Sequence, residues 1–133
     1  QQVLSSLADA AAKVADLSAP DIYEAVQERE KLGGTGGGDG VAIPHARVAG
    51  LSAPLGVFAR LEKAVDFEAA DEQPADLVFL LLSPKDAGAD HLKALATIAR
   101  TFRRAEVRDA LRAAPSKEAI AVILSPKVTT DAA

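Results

Sequence analysis

The sequence predicts a single α/β domain built around a largely central sheet. Three observations carry that reading. Every residue from Leu77 to Leu82 is apolar, as in a strand buried on both faces, and such a strand needs cover on each side. Stripes of apolar residues at helical spacing occur both before and after it, so strands and helices alternate along the chain. A length of 133 residues supports one core and divides poorly into two.

Leu4, Leu7, Ala11 and Val14 recur at helical spacing and predict a first amphipathic helix over Val3 to Ala15. Ser18 as cap, with Pro20 and Asp21 in the first turn, announces a second helix that carries Ile22, Val26 and Arg29 on one face and stops at Gly33. Arg29 thus falls on the stripe meant for the core. Its stem could cover apolar surface while its head reaches water, or the charge could serve a site. Val41 to Ile43 reads as a short buried strand stopped by Pro44, which has no N–H for a ladder and leaves His45 at a strand end. Leu55 to Leu61 predicts a strand, and Val65 to Phe67 a short edge piece. Beyond Ser83-Pro84, the residues Leu92, Leu95, Ala99 and Phe102 mark a helix opened by Gly88, with His91 in its first turn. Two more helices follow over Glu106 to Ala113 and Ser116 to Leu124, the latter capped by Ser116. The domain is expected to span residues 1–124, with a polar, mobile tail over residues 125–133.

Composition excludes much chemistry. Hydrophobic residues make up 49% and charged residues 26%, a globular balance, and the few aromatics leave an aliphatic core. A formal charge of -4 offers no general attraction to nucleic acid or anionic lipid, so neither is an expected partner. Without cysteine there is no disulfide framework, thiolate metal site or cysteine nucleophile. No apolar run has the length of a membrane span and no signal-peptide pattern is present, so no direct membrane insertion is expected and the cytoplasm is the expected compartment. The chain starts with Gln and lacks methionine, which suggests a piece of a longer protein.

Six glycines lie between Gly33 and Gly40, a density that suits either an anion-binding nest or a flexible connector. The tract lacks the Lys-Ser/Thr pair of a nucleoside triphosphate loop, and it follows a helix where a dinucleotide fingerprint follows a strand. His45 and His91 lie too far apart in sequence for a short metal-ligand motif, no G-x-S-x-G elbow exists, and no metal or cofactor is expected. There remains histidine as phosphoryl acceptor. A neutral imidazole nitrogen is a competent nucleophile near pH 7, and the charge on a transferring phosphoryl group calls for the donors that Arg29, the glycine backbone and His91 could supply. From the residues alone, a hydrogen-bonded structural or surface histidine at position 45 is the favoured reading.

The segments "EREKLGGTGGGDGVAIPHARV" and "DEQPADLVFLLLSPKDAGADHLKALATIARTF" resemble the enzyme IIA domain of the fructose and mannitol class of the bacterial phosphoenolpyruvate:sugar phosphotransferase system, and most of all its nitrogen-type regulatory member. The likeness runs from about Val3 to Leu124. It implies a mixed sheet of about five strands flanked by helices. It also implies that His45 accepts a phosphoryl group from a histidine-containing phosphocarrier protein, itself charged by enzyme I, with Arg29 and His91 as active-site partners. Thr35, Gly36 and Gly38 of the signature are expected to bind the phosphoryl oxygens. Arg47 joins them because alternation along an extended segment puts it on the side of His45. Regulatory targets such as potassium-transport or metabolic regulators follow from the nitrogen-type likeness; the alternative is a sugar-uptake component that passes the group to a IIB domain. Gly37 stands where the family usually has an apolar anchor, and Gly34 where a small hydroxylated residue is common, which predicts a more mobile loop.

Overall fold

Helix α1 (Gln2–Ala15) and helix α2 (Ala19–Lys31) precede a run of five strands: β1 (Gly36–Gly38), β2 (Val41–Ala42), β3 (His45–Val48), β4 (Leu55–Val65) and β5 (Ala75–Pro84). Helices α3 (Gly88–Arg103), α4 (Ala105–Ala113) and α5 (Lys117–Leu124) complete the computed structural model, which describes residues 2–124. The tail expected from residue 125 onward lies outside the described residues. Both caps expected from the sequence form: the Ser18 hydroxyl accepts from the Asp21 N–H and the Ser116 hydroxyl from the Ala119 N–H.

β5 is the axis of the mixed sheet. On one side it pairs with β4, antiparallel; on the other it pairs in parallel, first with β2 and then with β3, while β1 pairs antiparallel with β2 at the margin. Side chains alternate across β5, and each set has its own helical cover. Val78, Leu80 and Leu82 join Leu4, Leu7, Ile22 and Val26 of α1 and α2 in one core. Leu77 packs with Phe102 and Leu111 of α3 and α4 in the other, against which Phe79 also lies. Burial on both faces explains why this strand shows no polar alternation.

Four local expectations change. Pro44 does not end the extended run: the chain resumes as β3, and the Pro44 carbonyl still accepts from the Leu81 N–H at 2.9 Å. Val65 to Phe67 is not a separate edge piece, because β4 continues to Val65 through an irregular register and Phe67 then turns away into the core. Val14 is 73% exposed, since the α1 stripe outruns the surface it packs on. Leu92 is 66% exposed, at the cleft that His45 and His91 also line.

The glycine tract is neither an open nest nor a connector. Gly36–Gly38 is a strand, and Asp39 and Gly40 turn it into β2 with φ of 57° and 78°, the pair of left-handed residues that a two-residue hairpin turn requires. Arg112 of α4 ties this turn down, donating to the Asp39 carbonyl and to the Asp76 carboxylate, each at 2.9 Å. Gly34 and Gly36 admit the backbone of Phe67 and Ala69, which any Cβ would meet. Gly37 has no such constraint: a Cβ there would touch only the Val41 carbonyl, at an ordinary 3.7 Å. Gly37→Ala should therefore stabilise the domain by about 0.4–1 kcal/mol through the unfolded chain. Gly40→Ala should destabilise it by about 1–2 kcal/mol because of its positive φ alone. Urea unfolding of the two variants checks the opposite signs.

Candidate functional site

Histidines 45 and 91 meet although 46 positions separate them. In the parallel register of β3 and β5, His45 lies beside Leu81 and Arg47 beside Ser83, so all four share the face that α3 covers. The first turn of α3 sets His91 over that face, its ring centroid 5.6 Å from that of His45 and the planes tilted by 46°. α2 packs on the opposite face, against Ala46 and Val48, and Arg29 in its last turn reaches the same cleft past β3 at the edge of the sheet. The cleft measures about 620 Å³; Arg29, His45, Arg47 and His91 line it, as does Lys85, with Leu32 and Leu92 exposed at its margin.

Each imidazole is held through Nδ1. His45 Nδ1 lies 2.8 Å from the Ile43 carbonyl oxygen, which can only accept, so Nδ1 carries the proton and Nε2 keeps its lone pair. Partial burial pushes His45 below its ordinary 6.5, the Arg29 charge adds to this, and the bond to Ile43 opposes it. His91 Nδ1 is 2.6 Å from the hydroxyl of Ser83. Burial also lowers its proton affinity, as do a proton on His45, when present, and the charge of Arg47. Both rings are neutral at neutral pH. Arg29 donates to the Gly33 carbonyl at 2.9 Å, which steadies the guanidinium where α2 ends and leaves most of its five donors for the cleft.

Thr35, Gly36 and Gly38 are not brought to this cleft. The Thr35 hydroxyl and N–H both donate to the Glu30 carboxylate, the Gly36 N–H donates to the Phe67 carbonyl, and Gly38 faces Asp71. Their backbone is used in and beside the hairpin, and the charged and imidazole side chains that line the cleft are those of Glu28, Arg29, His45, Arg47, Lys85 and His91. Two residues of the site escape the sequence reading. Lys85 lies directly after the β5 strand end, and Ser83 was legible only as strand punctuation. Their signal is position: the C-terminal end of the buried strand is where β3, which carries His45, runs alongside. Among the described residues, no three His, Asp or Glu side chains are grouped so as to hold a metal.

The histidine pair makes stability depend on pH. Both rings bind a proton less readily folded than unfolded, so their contribution is fully present above 6.5 and is lost as pH falls below it. Glu30 acts in the opposite sense: partial burial raises its carboxyl above 4.5 against the two Thr35 hydrogen bonds, so acidification favours its folded form. The urea midpoint should fall between about pH 7.5 and pH 5.5. His45→Ala should flatten that fall, and Glu30→Gln, which keeps partners for both Thr35 groups, should steepen its acidic end.

Among the described residues, no helix is long and apolar enough to cross a membrane. The family described as "Phosphoenolpyruvate-dependent sugar phosphotransferase system, EIIA 2" matches residues 1–127. A nitrogen regulatory protein of Bradyrhizobium diazoefficiens is 48% identical over 125 residues, covering 94% of this chain and 82% of the relative. One from Pseudomonas aeruginosa is 44% identical over 121 residues, covering 90% and 79%. The crystal structure of nitrogen regulatory protein IIA-Ntr from Neisseria meningitidis superposes with a TM-score of 0.86 at 37% identity, over 92% of this chain and 84% of that one. Agreement in sequence and in fold along almost the whole length settles the membership: the chain belongs to the type 2 enzyme IIA family of the phosphotransferase system, alongside its nitrogen regulatory members.

Proposed function

We propose that this IIA protein accepts a phosphoryl group on Nε2 of His45 from a histidine-phosphorylated carrier protein, and that the phosphorylated state regulates cytoplasmic targets. One observation supports the reading above all others: the Ile43 carbonyl holds the proton on Nδ1, so the nitrogen left bare belongs to a ring lining a cleft with Arg29, Arg47, Lys85 and His91. In the step, the P–N bond to the donor histidine breaks as the bond to Nε2 forms, and the donor nitrogen regains its lone pair. The proton on Nδ1 stays with Ile43, so no general base is needed. Positive and N–H groups around the cleft stabilise charge spread over the phosphoryl oxygens, and positioning supplies the rest.

A phosphoryl group brings a charge of about -1.5 to -2 at pH 7. Beside Arg29, Arg47 and Lys85 it would offset most of the local positive charge, between the exposed leucines at positions 32 and 92. A target protein docking there would meet two different surfaces, which gives regulation of potassium-transport or metabolic regulators a physical basis. The test is reconstitution with phosphoenolpyruvate, enzyme I and the carrier, followed by mapping of the acid-labile phosphoryl group. Label on His45 is expected; absence of label in the complete system overturns the reading. Onward transfer to a IIB domain would reveal a sugar-uptake role in its place.

A further inference from the structure

Among the described residues, Ser83 is the one buried polar side chain, with no exposed surface at all. It stands on β5 next to Arg47 of β3, on the face covered by α3, and its hydroxyl has a single hydrogen-bond partner, His91 Nδ1 at 2.6 Å. A serine hydroxyl can donate or accept, and so can each nitrogen of a neutral imidazole according to its tautomer. Burial decides between the two arrangements. If Nδ1 carried the proton and donated to Ser83, the hydroxyl hydrogen would have no acceptor, and an unsatisfied buried donor costs about 1–3 kcal/mol. If the hydroxyl donates, the buried hydroxyl and Nδ1 are both paired, and the imidazole proton must sit on Nε2.

We propose that Ser83 is a positioning residue that fixes the tautomer of His91, so that the ring presents an Nε2–H donor, and not a lone pair, to a phosphoryl group on His45. The assignment rests on the reading of His45 as acceptor for its consequence, but not for its geometry. The two histidines are then complementary through the same ring atom, Nδ1. At His45 a carbonyl keeps the proton on Nδ1 and makes Nε2 a nucleophile; at His91 a hydroxyl keeps it off Nδ1 and makes Nε2 a donor. With the other tautomer, the His91 lone pair would face the phosphoryl oxygens and repel them. A β-strand residue sealed in the core sets this choice more rigidly than a surface side chain would.

Nitrogen-15 NMR of the imidazoles in the whole protein tests the assignment directly. The expected wild-type pattern for His91 is protonated Nε2 and bare Nδ1. Ser83→Ala should turn it into a mixture of tautomers and slow phosphoryl transfer to His45 on the order of tenfold. Ser83→Thr, which keeps the hydroxyl, should restore the tautomer and most of the rate. A wild-type His91 protonated on Nδ1 overturns the proposal, and so does a Ser83→Ala protein with unchanged tautomer and rate. Should Ser83→Ala fail to fold, the wild-type spectrum and Ser83→Thr still decide. Failure of the acceptor reading looks different: wild-type protein would take no label while the NMR pattern of His91 stayed as expected.

Discussion

His45→Ala should take up no acid-labile phosphoryl group from the complete relay, while its circular dichroism spectrum stays that of the parent. On the proposed reading the loss is absolute, because the bare Nε2 of His45 forms the new bond, whereas His91 has its Nδ1 against Ser83 and, in the proposed tautomer, its Nε2 protonated. The fold should survive because His45 is half-buried at the edge strand and the β3 ladder is made by its backbone. Label retained on the variant would move the acceptor elsewhere, and peptide mapping would show where.

Arg29→Ala should lower the rate of phosphoryl transfer by roughly 10²–10³-fold, the usual range for removing one preorganised donor to developing charge. The same variant should raise the proton affinity of His45, because the Arg29 charge is one of the causes that lower it. An NMR titration of the ring follows that shift independently of the carrier. Arg29→Lys should keep the titration close to the parent but recover only part of the rate, since an ammonium replaces the charge and not the planar fork of donors. A parental rate for Arg29→Ala would remove Arg29 from the site.

How far the sequence reaches is clear from particular residues. The unbroken apolar run of β5 announces its own double burial, and it is the strand around which the others are placed. Ser18 and Ser116 mark helix starts because a cap is a local event, complete within three residues. Arg29 is legible as an anomaly, a charge on the stripe of Ile22 and Val26, and the structure resolves the anomaly by ending the helix at the cleft. The glycine tract misleads because glycine answers two different needs with the same residue. Gly34 and Gly36 make room for a segment more than thirty positions away, which no local pattern encodes, whereas Asp39-Gly40 is a hairpin signal that could have been read directly. Ser83 is invisible for a similar reason: its partner comes from a helix eight residues on, and nothing in its neighbours says that the hydroxyl is sealed in.

The interruption at Ile43-Pro44 carries a consequence for evolution. A proline inside an extended run deletes one rung of the ladder, and here the carbonyl just before it is turned to the ring of His45. The group that decides which nitrogen of His45 is left bare is therefore main chain. Substitution of the Ile43 side chain cannot abolish it, whereas a change that drew this carbonyl back into pairing with β5 would leave the histidine in place and remove its chemical identity. Drift at the surrounding side chains can thus reshape the cleft while the choice of the bare nitrogen on His45 is inherited with the fold.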